Sequence, residues 1–247
     1  MSEMIIDAHM HLGEDLIYNT NDDETTILRY MEENGIDAAI LQTGMKTYDD
    51  RKANLRIYEF AKKYPGKFWG VTALSPLMPE AEYRGLAKWT VEELGFKGLK
   101  LHPGAFACMP TSPQAKKAFD TAAELDIPLM IHTGNGVPAA LPSLVIPMAL
   151  KYPQLRIILA HAGGGLYGCE ALVAAQICPN IYLETSWCPP DVVKSFIDEI
   201  GCERIMFGTD VPVNAGTEIG KYRSLKLSEY QFAKCCGGTA QEVFHLV

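Results

Sequence analysis

Two histidines near the start of the chain, His9 and His11, are separated by one residue within the run Ile5-Ile6-Asp7-Ala8-His9-Met10-His11. Residues two apart in a strand point to the same face of a sheet, so both imidazoles can reach one point. Imidazole nitrogens bind zinc, iron, nickel and copper ions. The spacing therefore predicts part of a metal site, whose other ligands must come from elsewhere in the chain.

Most of the remaining candidate ligands also stand where a predicted strand ends. Five of the six histidines do so, namely His9, His11, His102, His132 and His161. A carboxylate, Asp210, occupies the same position after the last strand. A divalent metal held by nitrogen and oxygen donors lowers the pKa of a bound water to about 7, and a nearby carboxylate can accept its proton. These residue types therefore indicate metal-assisted chemistry, provided that the fold brings them together.

Eight apolar segments alternate with helix-type segments at intervals of about thirty residues, the size of a βαβ unit. The predicted strands are Ile5–His11, Ala38–Thr43, Phe68–Leu74, Phe96–His102, Pro128–His132, Arg156–Ala160, Ile181–Thr185 and Arg204–Phe207. Several are continuous apolar runs, which are typical of buried parallel strands. We therefore predict an α/β fold, a (β/α)8 TIM barrel that forms a single domain over residues 1–247, since about 250 residues is typical of such barrels.

A doubly wound open sheet is the competing architecture. It would usually bring a nucleotide-binding loop, and no Gly-x-Gly-x-x-Gly or Walker pattern follows any strand. In a barrel, catalytic residues collect at the C-terminal ends of the strands, where these histidines lie. Substrate specificity would then depend on the loops Gly13–Asn21, Thr43–Tyr48, Pro103–Thr111 and Asn135–Leu141.

Two features of the later part of the chain are also predicted from the sequence. Trp187 and Cys188 follow the seventh strand and are candidates for substrate contact. The C-terminal part reads as helix, with a break at Gly237-Gly238 and a cap at Thr239.

Composition restricts the partners. The formal net charge of −8 disfavours nucleic acid and anionic membranes as partners, and the expected partner is a small-molecule substrate. Seven cysteines without a Cys-x-x-Cys pattern fit reduced thiols in a cytoplasmic protein. No signal-peptide pattern precedes Asp7, and no apolar run reaches the about 18 residues of a membrane span. Barrels of this kind often form dimers, so a homodimer is a possible oligomeric state.

Five motifs, in order, resemble the amidohydrolase superfamily, and most closely its amidohydrolase-2 branch of small metal-dependent barrels. They are Asp7-Ala8-His9-Met10-His11, Lys100-Leu101-His102-Pro103, Ile131-His132-Thr133-Gly134, Ala160-His161-Ala162-Gly163-Gly164 and Phe207-Gly208-Thr209-Asp210. The resemblance extends from Met4 to about Leu246. It is specific for the superfamily and carries no information on the substrate.

The resemblance implies a role for each matched residue. His9 and His11 match the metal pair of strand one, and His132 matches the ligand of strand five. His161 binds a second metal in binuclear members and contacts or polarises the substrate in mononuclear ones. Asp210 matches a metal ligand that also acts as general base. The implied cofactor is a divalent metal, zinc by default, with iron or manganese as alternatives.

The number of metals depends on Lys100 and its neighbours. In part of the superfamily the lysine of strand four is carboxylated and bridges two metals. Otherwise Lys100 would stay an ammonium that binds a substrate carboxylate or pairs with Asp7 or Glu184. We expect one metal per chain, with two as the alternative. Lys100, His102 and His161 are then candidates for a second metal or for the substrate, although His102 could instead anchor the following loop.

The predicted function is that of a metal-dependent hydrolase that activates water for attack on an amide, ester or lactone carbonyl. Asp210 would act as base, and His161 would polarise the substrate. The alternative is a non-oxidative decarboxylase of an aromatic or unsaturated carboxylic acid, because such lyases in the same branch use the same ligands. A length of 247 residues is short for those decarboxylases and favours hydrolysis. A non-catalytic metal-binding barrel would lack a ligand or the base, and none is missing.

Overall fold

The strand-forming segments are short, apolar and almost fully buried, as a parallel sheet covered by helices requires. The computed structural model describes residues 4–17, 19–44, 47–134 and 136–246. Its strands are Ile6–His11 (β1), Gly13–Asp15 (β2), Thr20–Asp22 (β3), Ala38–Gln42 (β4), Phe68–Ala73 (β5), Gly98–Leu101 (β6), Leu129–His132 (β7), Ile157–Ala160 (β8), Ile181–Glu184 (β9) and Ile205–Met206 (β10). Eight of them form one parallel sheet in the order β1-β4-β5-β6-β7-β8-β9-β10.

The sheet closes where β1 meets the segment that follows β10, and we call this pairing the closing seam. The Ala8 amide donates to the Phe207 carbonyl at 3.0 Å, and the His11 amide donates to the Asp210 carbonyl at 2.9 Å. Met10 and Asp210 form a parallel bridge between these hydrogen bonds. The predicted (β/α)8 barrel in a single domain is thereby confirmed. Each of the eight barrel strands in the structure lies within the segment predicted for it.

Helices connect successive barrel strands. The α-helices are Glu24–Asn34 (α1), Asp50–Lys63 (α2), Glu80–Glu92 (α3), Lys116–Glu124 (α4), Ile146–Lys151 (α5), Gly168–Ile177 (α6), Pro190–Ile200 (α7), Ala215–Ser224 (α8), Glu229–Ala233 (α9) and Thr239–Val243 (α10). Short 3-10 turns lie at Pro138–Ala140, Pro142–Val145, His161–Gly163, Cys202–Arg204 and Pro212–Asn214, and a π-helix at Lys234–Gly238. Across the described ranges, every helix is too short or too polar to cross a membrane.

The apolar core has an outer and an inner part. The outer part packs the helices on the sheet, and the inner part lies inside the barrel. Along β1, Ile6 and Ala8 belong to the inner part whereas Met10 belongs to the outer one, so the two-residue alternation is broken. The pairing of β1 with β4 shifts by one residue at the same place. Such bulges re-aim side chains next to active sites, and this one lies at His9.

Two sequence-based predictions of local structure were wrong. The segment Gly13–Asn21, predicted as a loop, contains the antiparallel hairpin of β2 and β3, with Gly13 paired to Asp22. This hairpin is polar and lacks the apolar alternation by which a strand is recognised. The predicted break at Gly237-Gly238 is instead a continuous π-helix, and Thr239, predicted as a cap, is the first residue of α10 and donates its hydroxyl to the Cys202 carbonyl at 3.1 Å. Gly237 packs against the backbone before β1, where a Cβ would lie 2.1 Å from the Met4 carbonyl oxygen.

The variant Gly237→Ala tests this close approach. The added methyl group would collide with backbone rather than with a movable side chain, so we expect the free energy of unfolding to fall by about 1–3 kcal/mol. Urea unfolding monitored by circular dichroism measures the change. Gly220→Ala is the control, because its Cβ meets nothing within 4 Å inside α8, and it should stabilise the protein slightly. Equal stability of Gly237→Ala and the parent would show that the contact is not tight.

Candidate metal centre

Three predicted ligands meet at the closing seam. The Nε2 atoms of His9 and His11 lie 3.2 Å apart, and Asp210 Oδ1 lies 3.3 Å from each of them. The His9 side chain is fully buried, whereas those of His11 and Asp210 are 18% and 21% exposed. The seam therefore presents two nitrogens and a carboxylate oxygen to one point that solvent can reach.

The hydrogen bonds behind the two histidines determine where their protons lie. His9 Nδ1 lies 2.7 Å from Glu184 Oε2, and His11 Nδ1 lies 3.0 Å from the Thr43 carbonyl oxygen. Both partners are acceptors, so a neutral ring carries its proton on Nδ1 and a lone pair on Nε2. Three acceptor atoms then face one another without a proton between them. A divalent cation fits this donor set, because it binds neutral imidazole and carboxylate together.

Burial favours the neutral, metal-binding form of four of these histidines, namely His9, His102, His132 and His161. It lowers the pKa of His9 well below the usual 6.5. It also lowers the pKa of His161 to about 4 and that of His102 to about 3. The pKa of His132 is lowered further still, again chiefly by burial.

Glu184, which was predicted only as an alternative ion-pair partner of Lys100, organises the inner wall of the site. It is fully buried at the end of β9. It accepts hydrogen bonds from His9 Nδ1 (2.7 Å), the His161 amide (3.1 Å), the Ser186 amide (2.6 Å) and Ser186 Oγ (3.0 Å). A carboxylate in this place fixes the orientation of the His9 ring. Gly208 leaves the space, since a Cβ there would lie 2.6 Å from Glu184 Oε1.

His161 lies directly behind His9. The two ring centroids are 5.0 Å apart, and His161 Nδ1 lies 2.8 Å from Ser186 Oγ. The backbone of His161 is left-handed, with φ of 64°, a conformation that is rare outside glycine and concentrates at functional sites. His9, His161 and Glu184 form a second group whose ligand atoms lie within 4.8 Å of one another. The place of His161 fits both expected roles, a second metal ligand and a substrate contact.

Lys100 lies beside the first group of possible ligands, which consists of His9, His11 and Asp210. It is 1% exposed, and its Nζ lies 3.0 Å from His9 Nε2 and 3.5 Å from Met130 Sδ. Its side chain thus hydrogen-bonds to His9 and Met130 rather than to Asp7 or Glu184, the two alternative ion-pair partners. Burial lowers the pKa of Lys100 to about 8, so the free amine is accessible near neutral pH.

His132, the third predicted histidine ligand, belongs to neither three-residue group within the described part of the chain. Its ring stacks on His102 with centroids 3.8 Å apart, and it meets His161 edge-on at 4.7 Å. His102 Nδ1 accepts a hydrogen bond from the Ala105 amide at 3.1 Å. His102 therefore anchors the loop after β6. His132 contacts the group of His9, His161 and Glu184 through the ring of His161.

Asp7 supports the backbone of the closing seam. It accepts hydrogen bonds from the His9 amide at 2.9 Å, the Thr209 amide at 3.1 Å and Thr209 Oγ1 at 2.6 Å. Burial raises its pKa to about 8. Asp7 thus holds the residues on either side of the seam, whereas the carboxylate that orients an imidazole is Glu184.

Trp187 covers the outer oxygen of Asp210. Its indole Nε1 donates to Asp210 Oδ2 at 2.8 Å, and the side chain is 49% exposed. This exposure fits its predicted place at the barrel mouth. Cys188 is buried, and its thiol donates to the His161 carbonyl oxygen at 3.1 Å. Because Cys188 is only 4% exposed and its thiol is directed at the backbone, it is a packing residue, and burial raises its pKa to about 12.

Barrel enzymes collect their chemistry at the C-terminal ends of the strands, and here those ends carry donors of the kind that divalent metals bind. These features define a barrel enzyme with a metal-type ligand cluster. The chain belongs to the amidohydrolase family, whose model matches residues 6–246. The match confirms the resemblance to the amidohydrolase-2 branch.

Several known proteins are similar to the chain. Gamma-resorcylate decarboxylase of Polaromonas sp. (strain JS666 / ATCC BAA-500) is 26% identical over an alignment 282 residues long, which spans 89% of this chain and 86% of the relative. The structure of 5-carboxyvanillate decarboxylase from Sphingomonas paucimobilis has a TM-score of 0.80 at 16% identity and covers 100% of both chains. That of 5-carboxyvanillate decarboxylase from Novosphingobium aromaticivorans DSM 12444, complexed with manganese and 4-hydroxy-3-methoxy-5-nitrobenzoic acid, has a TM-score of 0.78 at 19% identity and covers 99% of this chain and 96% of that chain. These structural likenesses show the fold.

The variant Glu184→Gln tests the role of the buried carboxylate. All four of its hydrogen-bond partners are donors, so the amide NH2 of glutamine must face one of them. We expect metal affinity to fall about 10–100-fold, because His9 loses its fixed orientation. Competition with a chromogenic chelator measures the affinity. Glu199→Gln, at an exposed position of α7, is the control, and equal affinity in the two variants would remove Glu184 from the site.

Proposed function

We propose that this protein is a metal-dependent, non-oxidative decarboxylase that releases carbon dioxide from an aromatic or unsaturated carboxylic acid. The observation that carries the proposal is the similarity to a curated decarboxylase over 89% of the chain. The sequence-based preference for hydrolysis depended on chain length. The aligned span of 282 residues exceeds the 247 of this chain, so the relative carries insertions and a shorter chain still retains the matched barrel.

The groups around the first ligand cluster suit an acidic, planar substrate. Lys100 supplies a buried amine 3.0 Å from His9 Nε2, and its ammonium form attracts a carboxylate. The half-exposed indole of Trp187 offers a flat apolar surface next to Asp210. An aromatic acid would match both features, with its carboxylate directed inward and its ring at the mouth.

The proposed metal ligands are His9, His11 and Asp210, with His132 as the further ligand that the resemblance implies. When bound, the divalent metal would bind substrate oxygens and stabilise the negative charge that develops on them. Zinc is the default from the ligand types, and manganese is supported by its presence in a related barrel. We propose one metal per chain. In the alternative with two metals, the second would bind at the group of His9, His161 and Glu184.

Asp210 is the proposed carrier of the proton. For a hydroxy-substituted aromatic acid, its carboxylate takes the hydroxyl proton and then delivers it to the ring carbon that bears the carboxylate. The bond from that carbon to the carboxylate breaks, its electron pair returns to the ring, and carbon dioxide leaves. The product oxyanion takes a proton from solvent. Trp187 Nε1 holds Asp210 Oδ2, which directs Oδ1 toward the inside of the site.

Hydrolysis is the second candidate, and one observation favours it. Asp210 Oδ1 lies 3.3 Å from both Nε2 atoms, where a carboxylate could equally accept a proton from water. For either reaction we propose a small-molecule substrate, no nucleic acid or membrane partner, and a cytoplasmic location. A homodimer is a further proposal, which light scattering in solution tests.

The decisive experiment combines metal analysis with two activity screens. Elemental mass spectrometry on the protein purified without added metal should give about one divalent metal per chain. Hydroxybenzoates and unsaturated dicarboxylates should then release carbon dioxide, while esters, lactones and amides stay intact. Hydrolysis of these without carbon dioxide release would reverse the assignment, and absence of metal even after reconstitution would overturn it.

The double variant His9→Ala/His11→Ala tests the ligand assignment. Two of the three converging acceptors are lost, so we expect metal content to fall from about one per chain to near zero. Elemental analysis after dialysis measures it. His245→Ala is the control, since His245 is the one histidine that the sequence places away from a strand end. An unchanged metal content in the double variant would place the site elsewhere.

The variant Asp210→Asn tests the proton carrier. Asparagine keeps the volume and can still accept from Trp187, but it does not take up a proton. We expect kcat to fall by about 10²- to 10⁴-fold while circular dichroism stays unchanged. Metal content is measured in parallel, so that loss of the ligand is distinguished from loss of the base. A retained kcat would remove Asp210 from the proton transfer.

A further inference from the structure

A buried ion pair lies behind the mouth of the barrel, outside the groups assigned to chemistry so far. Glu218 and Lys221, one turn apart on α8, are only 3% and 7% exposed. Removing two charges from water is unfavourable unless hydrogen bonds satisfy all their donors and acceptors. The partners of this pair therefore indicate what it does.

The pair holds the turn that carries Trp187. Lys221 Nζ donates to Glu218 Oε2, to the Thr185 carbonyl at 2.8 Å and to the Cys188 carbonyl at 2.9 Å, which uses all three of its protons. Glu218 Oε1 accepts from the Trp187 amide at 2.9 Å. One ion pair thus fixes three backbone groups of the turn over residues 185–188, namely the Thr185 and Cys188 carbonyls and the Trp187 amide.

Asn214 connects the same pair to the segment that carries Asp210. Its Nδ2 lies 3.0 Å from Glu218 Oε1 and 3.3 Å from the carbonyl oxygen of Thr209, the residue before Asp210. The network thereby contacts the backbone next to both members of the indole–carboxylate hydrogen bond.

Both members of that hydrogen bond have an unfavourable backbone. The φ angles of Trp187 and Asp210 are 65° and 67°, in the left-handed region that side chains larger than hydrogen disfavour. Residues persist there only when the surrounding structure holds them. The hydrogen bonds of Glu218, Lys221 and Asn214 are bonds of that kind, since they end on the adjoining backbone.

We propose that Glu218, Lys221 and Asn214 are positioning residues that hold the indole N–H of Trp187 on Asp210 Oδ2. The two oxygens of Asp210 then have separate tasks. Oδ2 is occupied by Trp187 at 2.8 Å, and Oδ1 faces His9 and His11. The kinetic part of this inference rests on the proposed function of Asp210, whereas the geometric part does not.

The geometric part is tested by NMR of the indole N–H groups in the zinc-loaded protein, because zinc is diamagnetic. The chain has three tryptophans, and loss of one signal in Trp187→Phe assigns the one of interest. In Asn214→Ala and Lys221→Met the exchange rate of this proton with water should rise at least about tenfold over the parent. Lys194→Met is the matched control, since it removes the same charge from an exposed pair with Asp198 on α7.

The kinetic part is tested on the same variants. We expect kcat to fall at least about tenfold with KM changed less than about threefold, because a displaced Asp210 weakens proton transfer more than binding. Lys194→Met should match the parent. If the parent releases no carbon dioxide, the proposed function fails and the exchange rates alone decide the positioning role.

A loss of folding is separated from a loss of positioning in two ways. Asn214→Ala leaves both charges in place, and the double variant Glu218→Gln/Lys221→Met removes both charges together, so neither leaves a buried charge unpaired. A folded variant whose Trp187 exchange rate and kcat stay within about twofold of the parent overturns the proposal. A lowered melting temperature with both values unchanged would likewise show that the network serves stability alone.

Discussion

Three acceptor atoms that share no proton are the constraint on which the rest of the site depends. His9 Nδ1 and His11 Nδ1 are both committed to acceptors behind them, so their Nε2 lone pairs and Asp210 Oδ1 must face one another. At a largely buried position such an arrangement of acceptors is unfavourable by itself. Asp7 holds the backbone, Glu184 holds the His9 ring and the Thr43 carbonyl holds the His11 ring, which keeps these atoms together as a cluster suited to positive charge.

The polar groups of the site are arranged in two zones of different solvent access. The inner zone, which contains His9, Lys100 and Glu184, is almost fully buried, so its charges and dipoles interact strongly. The outer zone, formed by His11, Asp210 and Trp187, is partly exposed. The proposed substrate, an acid with a flat apolar body, would fit this division, because its charged end would be attracted inward while its body would displace water at the mouth.

Sequence reasoning located the barrel and the strand-end residues for a physical reason. Buried parallel strands must be apolar throughout, so segments such as Arg156–Ala160 are conspicuous, and a polar residue that ends such a segment must face the mouth. The role of Glu184 in orienting His9 was not predicted, because it is a single carboxylate at the end of an apolar strand and His9 lies 175 residues earlier. Its burial could have been suspected from the run Ile181–Glu184. The packing role of Gly237 was not predicted, because it allows a close approach to the backbone of Met4 that only the folded chain shows. The reaction type could not be predicted from the candidate ligands, since the proposed hydrolysis and decarboxylation would use the same donors.

The closing seam joins the first strand of the barrel to the segment that follows the last, so the site forms only after nearly the whole chain has been brought together. Contacts between such distant segments form late in folding, because the entropy of closing the long intervening chain must be overcome first. The seam also rests on a short edge, since β10 comprises Ile205 and Met206 alone. A cation shared by His9, His11 and Asp210 would cross-link this edge, and its binding free energy would count toward closure of the barrel. Loss of the ion would then expose the protein to opening, and to proteolysis, at the site of its own chemistry.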